Sequence, residues 1–199
     1  SAMPTNLYGP NDNFNLEKAH VLPALLRKIH LGKALENGDW DAVRHDLNTR
    51  PINGIDGLAS EEKIIDLLSD FGISMDDTVK VEIWGSGKPM REFLWVEDMA
   101  EACSFLMNHH DAPTSLEAHT EVRNTHLNIG TGSDVSIATL AEMIKTIIGF
   151  EGQFVFNADK PDGTMRKLTD VSKINALGWK AKINLQEGLE KMYQWYVTQ

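Results

Sequence analysis

The chain has 199 residues, 42% hydrophobic and 24% charged, which is enough apolar material for a packed core and the length of one ordinary domain. Nineteen basic residues stand against 29 acidic ones, and a net charge of −10 is a poor match for a nucleic-acid-binding surface. No apolar run reaches the roughly 18–20 residues of a membrane-spanning helix, and no signal-peptide pattern opens the chain. The one cysteine, Cys103, forbids an internal disulfide and fits a reducing cytoplasm, so the expectation is a cytoplasmic protein with neither nucleic acid nor membrane as partner.

Residues 4–14 read as a loop, punctuated by Gly9-Pro10 and by Asn and Asp turn formers. The spacing of Val21, Leu22, Leu25, Leu26 and Ile29 predicts a helix, with Pro23 tolerable in its first turn and His20 at its N-terminus. Residues 36–62 are polar and acidic. A short helix is predicted at 41–47, and a clearer one after Ser60, a plausible N-cap, through Ile64, Ile65, Leu67 and Leu68. Val79 to Trp84 alternates like a strand and stops at Gly85-Ser86-Gly87, and residues 93–96 form a short extended run. Glu97-Asp98 opens a helix expected to pack Met99, Ala102, Cys103, Leu106 and Met107. After a polar loop at 109–123 come a strand at 126–130 and a helix bearing Ile137, Leu140, Met143, Ile144 and Ile147. A strand at 153–156, a turn at 160–163 and helices at 171–177 and 185–197 close the chain. About four strands alternating with helices make the class α/β.

Complete chemical motifs are scarce. Gly85-Ser-Gly87 and Gly130-Thr-Gly132 each begin like a dinucleotide fingerprint, but Met90 and Val135 stand where its third glycine belongs, so both read as plain turns. There is no Gly-x-Ser-x-Gly elbow and no Cys-x-x-Cys pair. His109, His110, His119 and His126 form the densest histidine cluster; adjacent histidines point apart, and no metal site is expected. Cys103 reads as a small buried hydrophobe. Positive residues cluster as Arg27/Lys28, Lys88/Arg91 and Lys160/Arg166/Lys167. Brought together they would suit a phosphate or pyrophosphate; kept apart they are three solvated patches. Trp84 reads either as a wall for a base or sugar ring or as core, and Asp162 either as an acceptor for a ligand or as the brace of its own turn. His20, at a helix N-terminus after a polar loop, is the best-placed proton-transfer residue.

Five ordered blocks carry a resemblance: Pro4-Thr-Asn-Leu-Tyr-Gly-Pro-Asn-Asp-Asn-Phe14; His20-Val-Leu-Pro-Ala-Leu-Leu-Arg-Lys28; Trp84-Gly-Ser-Gly-Lys-Pro-Met-Arg-Glu-Phe-Leu94 with Val96-Glu-Asp-Met99; Asn128-Ile-Gly-Thr-Gly132; and Lys160-Pro-Asp-Gly-Thr-Met-Arg-Lys167. In these blocks the chain resembles the GDP-L-fucose synthases, extended short-chain dehydrogenase/reductases. They use NADP to epimerise GDP-4-keto-6-deoxymannose at C3 and C5 and to reduce its 4-keto group. The resemblance implies a carboxy-terminal substrate domain over residues 3–199, lacking the Rossmann domain with its glycine fingerprint and Tyr-x-x-x-Lys pair. No tyrosine here has a lysine four residues later.

The resemblance makes His20 the proton donor and acceptor of epimerisation, and gives Pro4, Thr5, Asn6, Leu7 and His20 to the NADP. It gives Lys28, Trp84, Arg91 and Asp162, with Lys160 and Lys167, to the GDP-sugar. It further implies an inactive isolated chain that is monomeric, in an intact enzyme that is a homodimer. Residues 36–78 depart from the family pattern and are expected to be an inserted surface decoration. Two alternatives stay open: the substrate domain of another nucleotide-sugar epimerase or dehydratase, and a self-standing nucleotide-sugar-binding module.

Overall fold

The computed structural model describes residues 1–111 and 125–199. Most of the polar loop expected at 109–123, His119 included, lies outside the described residues. In chain order the strands are β1 (Ala2–Pro4), β2 (Asn6–Tyr8), β3 (Ile73–Met75), β4 (Val79–Trp84), β5 (Met90–Trp95), β6 (Leu127–Ile129), β7 (Asp134–Ser136), β8 (Gln153–Asn157) and β9 (Arg166–Lys167). The helices are α1 (Val21–Glu36), α2 (Trp40–Thr49), α3 (Glu61–Asp70), α4 (Val96–His109), α5 (Ile137–Ile148), α6 (Ser172–Ala176) and α7 (Leu185–Val197).

The α/β class holds, while the expected four strands are nine among the described residues. The loop expected at 4–14 begins with the ladder residues of β1 and β2. The five strands without a sequence signal are each three residues or fewer, too short for an alternation to register. They form three small sheets. β1 pairs with β6 in parallel; β3, β4 and β8 form a second sheet; and β5 carries β7 on one edge, with β2 and β9 along the other. β5 is buried on both faces over Glu92, Phe93, Leu94 and Trp95, which hides the period-two pattern that β4 shows.

Ser60 caps α3 as the sequence predicts, and Ser136 and Asn184 cap α5 and α7 by the same chemistry. Ser60 accepts from the Lys63 N–H, Ser136 from Thr139 and Asn184 from Glu187. α5 stops at Gly149, which is left-handed at φ 74°. α1 is the central helix, packed against β4, α2 and α5, with Leu22, Leu26, Ile29 and Leu31 fully enclosed. A second, smaller core gathers Leu94, Ala102, Ile129, Ile174 and Trp179 beneath α4 and α6. Met107, expected to pack with its helix neighbours, is instead 87% exposed, and Cys103 is half-buried.

Two expectations about residues 27–78 are corrected by a single interaction. Arg27 does not belong to a positive patch: it is 1% exposed, and its Nε and Nη2 donate to Asp46 Oδ2 at 2.9 and 2.8 Å. Its Nη1 donates to the Phe14 carbonyl, Nη2 also to the Arg50 carbonyl, and the Tyr196 hydroxyl donates to the other oxygen of Asp46. Asp46 lies on α2, so the stretch expected to be a surface decoration supplies the partner of a buried charge. Val43, Leu47, Ile52, Ile64, Leu67, Leu68 and Ile73 join the main core as well. Deleting one partner of such a pair strands the other charge in the interior. We expect Asp46→Ala to lower folding stability by about 3–5 kcal/mol in urea unfolding, and Tyr196→Phe, which removes one hydrogen bond, by about 1–2 kcal/mol.

Candidate functional site

A cleft of about 580 Å³ opens where the first turns of α1, the end of α3, the end of β4 and the start of β5 meet. Lys28, Trp84, Arg91 and Asp162, predicted as one set, all line it. Its size is within the range of small-ligand sites, and its walls combine apolar surface from Leu16, Val21 and Ile137 with these four polar or aromatic groups.

Lys28 is carried on α1 two turns from the helix start, so its ammonium points back along the helix toward the cleft. Nζ donates to the Glu82 carbonyl at 2.5 Å. Burial pushes its pKa down to about 8, against the opposing pull of Glu82. Trp84, at the end of β4, is 66% exposed, which removes the reading of it as core. Lys160 lies over its ring, Nζ 5.1 Å from the centroid, a cation–π contact that holds the indole at the rim.

Arg91 reaches the segment before β9: Nη1 donates to the carbonyls of Met90 and Thr164 at 2.8 and 2.7 Å. Asp162 braces a turn, though not its own. Its carboxylate accepts from the Ser86 N–H at 2.6 Å and the Ser86 hydroxyl at 2.8 Å, bonds that hold its pKa below the usual carboxylate range. Gly85 sits at φ 79° with the Asp162 carboxylate where a Cβ would be, so the Gly85-Ser86-Gly87 turn requires glycine there both for conformation and for room.

The other predicted residues are placed apart from the cleft wall. His20 is the exposed N-cap of α1, without a side-chain cap bond, and its chain neighbours Ala19 and Val21 line the cleft. Lys167 is exposed on β9, in register with Arg91, while Arg166 is spent on Asp134 at 2.7 Å. Of Pro4 to Leu7, Pro4 and Leu7 present exposed surface. Thr5 and Asn6 turn their side chains to the Glu92 carbonyl, at 3.3 and 2.7 Å. Asp70, Phe71 and Glu82 also line the cleft; no sequence signal marks them, because only the packing of β3 and β4 against α1, and of α3 against β3, brings them there. No group of three or more potential metal ligands occurs among the described residues.

The depressed pKa of Lys28 gives a stability prediction. At pH 7 the folded state holds a poorly solvated ammonium, at a cost of about 1–3 kcal/mol. Between about pH 8 and the ordinary lysine pKa of 10.5, the folded chain has released this proton while the unfolded chain still binds it, so stability rises with pH. Lys28→Met is expected to be more stable than the wild type at pH 7 by about that amount, the gap closing as pH approaches 10.5. Urea unfolding at pH 7 and pH 10 measures it.

Similarity to known proteins fits this arrangement. The sequence profile of the NAD dependent epimerase/dehydratase family matches residues 59–130, from α3 through β4, β5 and α4 to β6. A probable GDP-L-fucose synthase 1 of Oryza sativa subsp. japonica is 42% identical over 197 residues, covering 99% of this chain and 44% of that protein. Among solved structures, a GDP-6-OMe-4-keto-L-xylo-heptose reductase from C. jejuni is 44% identical with a TM-score of 0.84, covering 99% of this chain and 53% of that one. A GDP-mannoheptose C4 reductase from Campylobacter jejuni with NADP bound is 42% identical with a TM-score of 0.77, covering 98% and 52%. The chain thus spans about half the length of the relatives it matches. Its segment 59–130 is thus similar to the NAD dependent epimerase/dehydratase family, and nearly its whole length to about half of each of these relatives.

Proposed function

We propose that this chain is the substrate-binding part of an NADP-dependent enzyme that acts on a GDP-linked 4-keto sugar. The observation carrying the proposal is the convergence of Lys28, Trp84, Arg91 and Asp162 on one cleft, in a chain whose relatives bear the names of GDP-sugar enzymes. Lys28 and Arg91 supply positive charge for the diphosphate, Arg as a planar fork and Lys as a point charge. Trp84 offers an exposed indole face for stacking on a base or ribose. Asp162 acts by holding the Ser86 turn, whose Gly87 borders the cleft, and Lys160 by fixing the indole. Lys167 adds positive charge beside the diphosphate from β9.

His20 is the acid–base group. A ketone acidifies the carbons beside it, and an exposed imidazole at the rim can take a proton from one face of such a carbon and return one after the sugar has turned. The cofactor's chemistry is hydride transfer to the keto group. Pro4 and Leu7, exposed along β1 and β2, fit one wall of its nicotinamide end, while Thr5 and Asn6 serve by fixing that strand to Glu92. The remainder of the cofactor site, with the Tyr-x-x-x-Lys pair, falls to a Rossmann half outside residues 3–199. Mixed with NADPH and the keto-sugar, the chain alone is therefore expected to oxidise none; appreciable turnover contradicts the reading. We further infer a cytoplasmic enzyme, homodimeric when intact, with this part monomeric by itself.

Two sugars fit the family. The 42% relative favours the six-carbon precursor of GDP-L-fucose, and the Campylobacter reductases at 44% and 42% favour a seven-carbon GDP-sugar. Comparing kcat/KM of the intact enzyme on the two keto-sugars decides between them. Both readings require a guanosine nucleotide. In calorimetric titration of the chain, GDP is expected to bind more tightly than UDP or dTDP, and Arg91→Ala to weaken it by about tenfold or more, the loss of a charge-assisted contact. Preference for UDP sinks both.

A further inference from the structure

One wall of the cleft has no part in the function proposed above. It is the corner Asp70-Phe71-Gly72, where α3 gives way to β3, and Asp70 and Phe71 line the cleft. The Gly72 carbonyl accepts from the Glu82 N–H at 2.6 Å, which continues the antiparallel register of Ile73 with Val81. This bond sets the corner beside the last residues of β4, Glu82 to Trp84. Gly72 stands at φ 75°, and a Cβ there would come within 2.7 Å of the Glu82 Cβ and 3.2 Å of the Lys28 Nζ. The corner thus closes directly against the ammonium that faces the ligand, and the stretch 36–78 borders the cleft as well as filling the core.

Four carboxylates line the cleft: Glu17, Asp70, Glu82 and Asp162. Three of them are accounted for. Asp162 has one oxygen on the Ser86 N–H and the other on the Ser86 hydroxyl. Glu82 shares the Lys28 corner, its carboxyl carbon 3.6 Å and the Lys28 Nζ 3.2 Å from the place of a Gly72 Cβ. Glu17 lies three residues before His20, at the acid–base end. Asp70 is different. It is the last residue of α3, where the helix dipole disfavours a negative charge, and Asp66, one turn earlier on the same face, repels it. Among the described residues its carboxylate has neither a hydrogen bond nor an ion pair to offset this. The fold gains nothing from an acid at this position, and both oxygens are open to a ligand.

We propose that Asp70 reads the base of the nucleotide, its two oxygens accepting from the N1–H and the 2-amino group of guanine. Guanine presents these two donors side by side, a fork that one carboxylate matches, and bonds to an ionised acceptor are the stronger kind. Uracil and thymine present a single N–H between two carbonyl oxygens, which a carboxylate repels. Asp70 therefore both rewards guanine and penalises the pyrimidines, while Lys28 and Arg91 hold a diphosphate whatever base it carries. This role deepens the reading of the cleft as a GDP-sugar site and rests on it.

Calorimetric titration of the chain with GDP and with inosine diphosphate, whose base is guanine without the 2-amino group, tests the role. The wild type is expected to bind GDP about tenfold or more tightly than inosine diphosphate. Asp70→Ala is expected to weaken GDP by about tenfold or more and inosine diphosphate by less, so that the preference shrinks toward one. Arg91→Ala, which acts on the diphosphate, weakens the two alike and leaves the preference standing. Asp70 is exposed at a helix end, so the thermal midpoint of Asp70→Ala is expected to be equal to the wild type's or higher, and a loss of binding is then not a loss of fold. If GDP binding falls in Arg91→Ala but is unchanged in Asp70→Ala, the cleft is the nucleotide site and Asp70 does not read the base. An equal fall for both nucleotides in Asp70→Ala also overturns the proposal. A wild type that binds no GDP, or binds UDP as tightly, removes the GDP-sugar reading itself and this inference with it.

Discussion

The site depends on a buried carboxylate. Glu92, 0% exposed at the centre of β5, accepts from the N–H groups of Thr131 and Gly132 on Oε1, both at 2.7 Å. On Oε2 it accepts from the N–H and hydroxyl of Thr169, at 2.9 and 2.6 Å. Its own carbonyl receives Thr5 and Asn6. One residue thereby gathers the amino-terminal strands, the Gly130–Gly132 turn and the stretch after β9 around β5. Hydrogen bonds to an ionised acceptor in a dry interior are among the strongest a protein makes, and removing the acceptor would leave several donors unpaired. The residue just before it on β5 is Arg91, so the clamp that closes this part of the fold also fixes where the cleft's guanidinium stands.

A second buried charge organises the other side of the cleft. The Arg27–Asp46 pair ties α1 to α2, and the same helix turn carries Lys28 into the cleft. Adjacent basic residues thus have opposite fates. Arg27 is fully satisfied and structural, whereas Lys28 has one carbonyl acceptor at 2.5 Å and a depressed pKa. Holding Lys28 poorly solvated trades stability for a cation ready to meet an anionic ligand, the usual direction of compromise at a binding site.

Much of this was legible in the residues. Apolar spacing, with Ser60 as a cap, locates the long helices, because capping and periodicity are local properties. The ordered motif blocks named Lys28, Trp84, Arg91 and Asp162, and the fold brings them to one wall. What was hidden is tertiary. Strands of two or three residues leave no periodic trace, and β5 lost its alternation by being buried on both faces. Nothing in the sequence around Arg27 or Asp46 says that they meet, so one was read as surface charge and the other as part of an ornament. Asp70, Phe71 and Glu82 enter the cleft only through the packing of α3, β3 and β4.

Similarity and substrate stand on different footings. The chain is similar along nearly its whole length to about half of relatives named for two kinds of GDP-sugar, while the substrate reading rests on four side chains around one cleft. A second cavity of about 440 Å³, lined by Lys180, Lys182, Asn175 and Ser133, meets the first at Arg91 and offers positive charge of its own. The most direct test of the account is therefore a crystal structure of the chain with GDP. The account predicts the diphosphate between Lys28 and Arg91, with the base or ribose against Trp84. Nucleotide lying in the cavity at Lys180 and Lys182, with the Trp84 face empty, would contradict it.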